Sequence, residues 1–405
     1  MNDIDRRGAG AQPAPRTIGA DAILRARIGI SIGFLLGGMT LAIWAVHIPL
    51  VARRLDLQPG ILGLALLCIG TGAFLPQPLV GVLVSRHGSR RISRILLPAF
   101  VAMMPLTVTA PTRPLLFLAC FLLGAAGGSY NVAINTQGAE LEAARGKPTM
   151  SWFHGCWSLG GLVGATLGGL VIGAGYGSGI GAAAIAALMI AGGVPASALL
   201  FASPPRPRPA KAPGGRRFAM PAAPLLGLLA IAVLGEYVES SVNNWSTLYL
   251  TTVRGLDPAH AATGLAVFSL GMAICRLGGG PVVSRLGERT VVLGGGLLVA
   301  LGIAVVVLVP WPSLSPFGYA LVALGAANGV PVLIGASSRI PGIDTGVAVA
   351  TVITFITIGY LSSPPVVGFV SQAFGATVGM AVLGAAGLTI ATIAALRQWQ
   401  PAPGR

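Results

Sequence analysis

The segment GVLVSRHGSRR, residues 81–91, returns as GPVVSRLGERT at residues 280–290. The identical positions include Gly81 with Gly280, Ser85 with Ser284, Arg86 with Arg285, Gly88 with Gly287 and Arg90 with Arg289. Upstream, LGLA at 62–65 parallels TGLA at 263–266. Glycine lets a chain reverse direction within very few residues, so each copy predicts a tight turn between two closely packed helices. The recurrence predicts a chain built from two similar halves.

The chain is too apolar for a water-soluble fold. Of its 405 residues, 54% are hydrophobic and 9% are charged, whereas soluble domains carry about 25% charged residues. A membrane span needs about 20 apolar residues, so we divide the chain by its long stretches with no charge or almost none. These stretches are 28–52, 57–85, 95–112, 114–139, 148–205, 218–253, 258–284, 290–338 and 345–396, of which 148–205, 290–338 and 345–396 are each long enough for two spans. The sequence therefore predicts an all-α integral membrane protein with twelve transmembrane helices.

A polar segment separates the spans into two equal sets. Residues 203–221, SPPRPRPAKAPGGRRFAMP, are rich in proline and basic residues and have the character of a linker. We predict a disordered cytoplasmic tail over 1–26, an N-terminal six-helix bundle over 27–202, this cytoplasmic linker, a C-terminal six-helix bundle over 222–398 and a tail over 399–405. Because the repeated turn follows the second span of each set, we expect two pseudo-symmetric bundles related by an axis along the membrane normal.

The net charge of +15 is distributed on one side of the predicted membrane. With the N-terminus placed inside, every Lys and Arg falls on the inner side except Arg53, Arg54, Arg113 and Arg254. This asymmetry follows the positive-inside rule, and it predicts a multi-pass protein of the cytoplasmic (inner) membrane with both termini in the cytoplasm. Basic residues placed in this way orient helices, so we expect no nucleic-acid partner.

The sequence offers no pattern typical of catalysis or metal binding. Cys68, Cys120, Cys156 and Cys275 occur singly in apolar segments, as small packing residues do. The acidic clusters and nucleophile–base motifs of membrane enzymes do not occur in the sequence, nor does the GxxxxGK[ST] loop of an ATP-driven pump. We therefore expect neither an enzyme nor a bound metal or cofactor.

Several of these segments resemble a known family. GVLVSRHGSRR is similar to the span 2–3 signature of the major facilitator superfamily, with Ser85 where that signature has an acidic residue. Five further segments resemble a bacterial branch related to fucose-permease-type carriers: IWAVHIP (43–49), NVAINTQGAELE (131–142), SWFHGCWSLGG (151–161), ESSVNNWSTLYL (239–250) and GYLSSPPVVGF (359–369).

The resemblance covers residues 25–398 and implies a transporter whose two halves give access to each side of the membrane in turn. It also implies a role in conformational gating for the residues of the two turns, namely Gly81, Arg86, Gly88, Arg90, Gly280, Arg285 and Gly287. In span 7 it implies that Glu239, six positions before Trp245, occupies the acidic position of the branch.

Span 7, LLGLLAIAVLGEYVESSVNNWSTLYL (225–250), contains two glutamates. A charge at the bilayer centre costs about 2.5–3.5 kcal/mol on insertion scales, so it usually marks an ion or substrate path. Glu236, Glu239 and Asn243 lie at i, i+3 and i+7, on one helical face. Burial favours the neutral form of a carboxyl group, which makes both glutamates candidates for proton coupling. The alternative is a structural pair with Arg276 that locks spans 7 and 8 together.

Other polar or aromatic side chains within the spans are candidate solute contacts. They are Asn131, Asn135, His154, Trp157, Asn243, Trp245 and Tyr360. An asparagine in a span bonds either a solute or a neighbouring helix, and His154 is close enough to a helix start to be a cap or packing residue. We expect Arg276 to extend toward the cytosolic surface rather than to serve as a counter-ion. Pro364 and Pro365 predict a bend or an interruption in span 11.

These observations predict a secondary transporter that moves a small polar organic solute by alternating access, as a proton symporter using Glu239 and Glu236. Its expected partners are the solute, protons and the lipid bilayer, and we expect a monomer. Two alternatives stay open: a proton-coupled efflux antiporter for drugs or metabolites, and an uncoupled facilitator. The run GGLVGATLGG (160–169) resembles an antiporter signature but has Ala165 in place of its proline, which disfavours efflux.

Overall fold

The computed structural model describes residues 19–147, 149–177, 179–202, 223–340, 343, 345–397 and 399. Within these residues, twelve helices are long and apolar enough to cross a membrane. They are α1 (Ala20–Arg54), α2 (Pro59–His87), α3 (Ser89–Thr109), α4 (Arg113–Arg145), α5 (Met150–Tyr176), α6 (Gly179–Leu199), α7 (Leu225–Thr252), α8 (Pro258–Leu286), α9 (Glu288–Leu308), α10 (Pro312–Ser337), α11 (Thr345–Phe374) and α12 (Ala376–Leu396). The prediction of an all-α fold with twelve transmembrane helices is confirmed.

The structure shows where the first helix begins and leaves most of the predicted tails and linker undescribed. Helix α1 begins at Ala20, so residues 20–26, which we assigned to the tail, are helical. The predicted linker over 203–221, the tail up to residue 18 and residues 400–405 lie outside the described residues.

One glycine turns the chain between α2 and α3, and one glycine does the same between α8 and α9. Gly88 and Gly287 both have φ of 83°, a left-handed conformation that side chains with a Cβ disfavour. These are equivalent positions of the repeated segment. The two halves therefore share a backbone conformation at the turn by which the repeat was recognised.

Prolines affect the two helices that meet between the halves in different ways. Pro76 divides α2 into Pro59–Phe74 and Gln77–His87. In α11, by contrast, the helix runs unbroken through Pro364 and Pro365, so an interruption of span 11 is not what the structure shows. A transmembrane helix tolerates proline where neighbouring helices support the backbone, and here the backbone of both prolines lies directly against Gly63 of α2.

The bundle has two ends. We call the end with the Gly88 and Gly287 turns the basic end, and the other the opposite end. Near the opposite end the two halves touch, because Gly60 N donates to Gln372 Oε1 at 3.0 Å and Gly368 lies against the backbone of Pro59. Toward the basic end, Leu75 of α2 and Ile353 of α11 are exposed.

Candidate solute and proton site

A cavity of about 430 Å³ lies between the two halves. Helices α1 to α5 of the first half and α7, α8 and α11 of the second half supply its wall. Its volume falls within the range of roughly 300–1,000 Å³ that is typical of small-molecule sites. The contact between Gly70 of α2 and Tyr360 and Leu361 of α11 lies between this cavity and the opposite end. Phe74, Gln77 and Ile356 line the cavity on the side toward the basic end.

Glu239 and Arg276 form an ion pair in the cavity wall. Arg276 Nη2 donates to Glu239 Oε1 at 2.7 Å and to Oε2 at 2.9 Å, and each side chain is only 18% exposed. Arg276 Nη1 also donates to Ser158 Oγ of α5 at 3.2 Å, so the guanidinium joins the two halves. Our expectation that Arg276 reaches the cytosolic surface is wrong. A carboxylate on the adjacent helix neutralises the charge in place.

Glu236 has different surroundings, although it lies one turn from Glu239 on the same helix. Its carboxyl has no hydrogen-bond or ion-pair partner among the described residues, and it lines the main cavity. It also lines a smaller cavity of about 30 Å³ between α7, α9, α10 and α12, which is room for one or two water molecules. Glu236 and Glu239 are the only charged side chains in the described wall of that smaller cavity. The carboxyl of Glu239 is thus neutralised by an ion pair, whereas that of Glu236 has no partner among the described residues.

Five of the candidate contacts line the main cavity: Asn131, His154, Trp157, Asn243 and Tyr360. Asn243 Nδ2 donates to the backbone oxygen of Glu239 at 2.9 Å, which leaves its side-chain oxygen free to accept from a solute. His154 meets the ring of Phe34 edge-on, with ring centroids 5.5 Å apart, so an aromatic contact orients the imidazole.

The other two candidate contacts, Asn135 and Trp245, are not part of this wall. Asn135 Nδ2 donates to the side-chain oxygen of Asn131 at 3.0 Å. Asn135 therefore orients a lining residue without lining the cavity itself. Trp245 is 4% exposed and packs within the apolar core. A tryptophan on α7 turns away from the glutamate face because its position is i+6 from Glu239, well off the i+3 and i+4 stripe.

Several polar residues that line the cavity were not among the candidates predicted from the sequence. They are Gln77, Ser158, Ser240, Asn244, Ser269 and Thr357. A signal was available for two of them, because Ser240 and Asn244 continue the face of Glu236 at i+4 and i+8. For the others, a lone hydroxyl or amide inside a span does not indicate whether the side chain faces a cavity, because that depends on the neighbouring helices.

The residues of the two turns lie at the basic end, away from the cavity wall, and the turns are tied to their bundles in matching ways. Arg90 Nη2 donates to the backbone oxygen of Ala198 at 2.6 Å, and Arg289 Nη2 to that of Ala395 at 2.9 Å. In both cases an arginine meets a carbonyl at a helix C-terminus, where the helix dipole favours a cation. Arg86 and Arg285 are exposed, and so are Gly81 and Gly280.

A second matched link joins each turn to a residue that lies 51 positions further along the chain. In the first half, Ser89 Oγ donates to Glu140 Oε2 of α4 at 2.6 Å. In the second half, Arg339, just after α10, donates to Glu288 at 2.6 Å. The positions are equivalent but the chemistry differs, because a neutral serine in one half replaces a glutamate in the other.

Comparison with known proteins agrees with this architecture. The sequence profile of the Major Facilitator Superfamily matches residues 29–338 and 228–405. An uncharacterized MFS-type transporter of Yersinia pestis is 32% identical over 369 residues, which cover 91% of this chain and 94% of the relative.

Solved structures show the same fold at low sequence identity. A mutant of the nucleoside transporter NupG superposes with a TM-score of 0.72 at 15% identity, covering 92% of this chain and 99% of that chain. The E. coli fucose:proton symporter FucP superposes with a TM-score of 0.58 at 15% identity, covering 94% of this chain and 100% of that chain. The profile match, the sequence relative and these folds confirm the resemblance inferred from the sequence: the chain belongs to the Major Facilitator Superfamily of membrane transporters.

Proposed function

We propose that this transporter carries a small polar organic solute together with protons across the cytoplasmic membrane, by alternating access of its two halves. The observation that supports it best is the cavity between the halves, which holds the free carboxyl of Glu236 beside the Glu239–Arg276 pair. From the positive-inside rule we infer that the basic end, and with it both termini, faces the cytoplasm.

The composition of the cavity wall favours an uncharged, hydroxyl-rich solute. Asn131, Asn243 and Asn244 present amide groups, and Trp157 and Tyr360 present aromatic surface. Arg276, the only lysine or arginine in the described wall, is occupied by Glu239 and Ser158. An anionic solute would therefore have to displace a carboxylate that is already bound. A sugar, polyol or nucleoside matches these groups and fits the volume.

Glu236 supplies a physical reason for proton coupling. When the cavity changes sides, it closes around this residue and removes water from it. An unpaired carboxylate is costly to remove from water, whereas a protonated carboxyl is far less so. The transition is therefore favoured when Glu236 carries a proton. Glu239 has its charge balanced by Arg276 and does not face the same cost.

Transport assays with purified protein in liposomes test this proposal. The assay supplies labelled monosaccharides, polyols and nucleosides under an inward pH gradient, with Glu236→Gln, Glu239→Gln and the exposed, distant control Asp21→Asn. We expect wild type and Asp21→Asn to accumulate one of these solutes. Glu236→Gln is expected to retain solute exchange across the membrane in the absence of a gradient but to lose accumulation.

The same assay separates the competing functions. Accumulation that survives in Glu236→Gln would refute coupling through this carboxyl, and accumulation that is lost only in Glu239→Gln would assign the coupling to Glu239 instead. Uptake by wild type that does not depend on the pH gradient would identify a facilitator. Solute efflux driven by the inward proton gradient would identify an antiporter.

A further inference from the structure

A groove of about 600 Å³ opens at the basic end, beside the turn between α2 and α3. Its wall consists of His87, Gly88, Ser89, Arg90, Arg91, Arg94, Ile95 and Ala202. The transport cycle proposed above makes no use of it. We propose that this groove binds the phosphate headgroup of an anionic phospholipid.

The groove carries a positive charge that nearby residues do not balance. Arg90, Arg91 and Arg94 have no ion-pair partner among the described residues, and the wall contains no acidic side chain. Glu140 lies behind the wall and bonds one of its residues. It is 8% exposed and already accepts hydrogen bonds from Ser89 and Gln137. In the sequence that follows Ala202, every charged residue from 203 to 222 is basic, with no Asp or Glu.

Hydrogen bonds hold two of the three guanidinium groups in place. Arg90 Nη2 donates to Ala198 O at 2.6 Å, and Arg94 Nε donates to Ser197 O at 3.0 Å. Each of these bonds leaves further N–H groups free, and Arg91 makes no hydrogen bond among the described residues. Guanidinium groups fixed in this way suit the oxygens of a phosphate, which they bind in a bidentate manner.

The position of the groove favours a lipid over a soluble anion. The wall joins the end of α2 to the first turns of α3, at the level where a spanning helix meets the headgroups. Ile95 lies four residues after Arg91, on the same face of α3, and is 58% exposed. The groove thus has charge at the headgroup level and an apolar side chain toward the membrane interior, as a phospholipid requires.

The second half of the molecule shows that the turn itself does not require these arginines. At the positions equivalent to Arg91 and Arg94 it has Thr290 and Leu293. At the position of Ser89 it has Glu288, which pairs with Arg339 at 2.6 Å. Only the Arg90 position keeps its arginine, as Arg289. The positive-inside rule is satisfied by basic residues anywhere on this side, so it does not explain a cluster in one groove.

Native mass spectrometry of the full chain in detergent tests the assignment, using phosphatidylglycerol, phosphatidylcholine with the same acyl chains, and inorganic phosphate as probes. We expect phosphatidylglycerol to bind more tightly than phosphatidylcholine. Arg91→Gln is expected to weaken phosphatidylglycerol binding about five-fold, since one surface arginine contributes about that factor. Arg91→Lys, which keeps the charge, should retain most of the affinity, and Arg289→Gln provides the matched control in the other half.

Three outcomes would overturn the proposal. They are equal binding of the two lipids, equal weakening by Arg91→Gln and Arg289→Gln, and displacement of phosphatidylglycerol by inorganic phosphate at comparable concentration, which would indicate a soluble anion instead. Arg91 is exposed and makes no hydrogen bond or ion pair among the described residues, so its substitution is expected to leave folding intact, and the thermal unfolding of each variant checks this. No solute transport enters the measurement, so its result is independent of the proposed function.

Discussion

Two glutamates one helical turn apart have opposite relations to their surroundings. Both carboxyl oxygens of Glu239 accept from Nη2 of Arg276, whereas Glu236 has no hydrogen-bond or ion-pair partner among the described residues and lines two cavities. We interpret the first as a fixed charge pair that links α7 to α8 and, through Ser158, to the first half. We propose that the second is the carboxyl whose protonation changes as the cavity closes.

The Glu239–Arg276 pair predicts a characteristic pattern in a double-mutant cycle. Removing one partner of a buried ion pair strands the other charge and costs about 3–5 kcal/mol, whereas removing both can be nearly neutral. We therefore expect Arg276→Gln to lower the thermal unfolding temperature in detergent strongly, and Arg276→Gln/Glu239→Gln to recover much of the loss. Arg285→Gln serves as the control, because Arg285 is exposed and makes no hydrogen bond or ion pair among the described residues. A double variant that is less stable than either single variant would show that the two charges do not stabilise each other.

At the residue scale, the sequence predicted which charged and polar side chains of α7 share a face, but it did not predict their partners on other helices. The i, i+3 and i+7 spacing correctly predicts that Glu236, Glu239 and Asn243 share a face. Whether Arg276 reaches that face depends on the rotation of α8 about its own axis. That rotation follows from packing against α5 and α7, which no local pattern in α8 encodes. Trp245 is the opposite case, because its i+6 spacing from Glu239 already puts it off the glutamate face.

At the scale of whole helices, close approach depends on glycine. A methyl group on Gly124 of α4 would collide with the backbone oxygen of Ile69, and one on Gly160 of α5 with that of Leu35. Small residues at such contacts let transmembrane helices pack closely enough for van der Waals attraction to hold them. These two contacts fix α4 against α2 and α5 against α1, and so position Asn131 and His154 at the cavity.

Substitution of these glycines has a predictable cost. Gly124→Ala inserts a methyl group against a backbone atom, which typically costs about 1–3 kcal/mol, and we expect a lower unfolding temperature in detergent. Gly192→Ala on α6 is the matched control, because a methyl group there meets nothing within 4 Å. Alanine favours helix over glycine, so the control should be as stable as wild type or slightly more so. Equal destabilisation by both substitutions would contradict the packing argument.

The turns show how far a sequence repeat predicts an element. The glycine-flanked repeat predicted two equivalent reversals, and Gly88 and Gly287 have the same φ. It did not predict that Ser89 bonds Glu140 while Glu288 bonds Arg339. Those partners lie 51 residues further along the chain, outside the repeated segment, and become neighbours only when each bundle is assembled.

At the scale of the whole molecule, charge-free lengths were enough to predict twelve spans, and the repeat was enough to predict two bundles. Neither indicated which state of the transporter the chain adopts. The structure has the halves in contact near the opposite end, through Gly60 and Gln372, with the cavity on the other side of that contact. Alternating access requires this contact to open as the basic end closes.

Distances between the halves test this central claim most directly. Spin labels are placed at Ser85 and Ser284 for the basic end and at Arg53 and Val253 for the opposite end, all exposed positions, after replacement of Cys68, Cys120, Cys156 and Cys275. We predict that acidification shifts the two distance distributions in opposite directions, one end opening as the other closes, and that Glu236→Gln shifts them the same way at alkaline pH. Distances that stay unchanged, or that lengthen together at both ends, would contradict alternating access governed by the proton on Glu236.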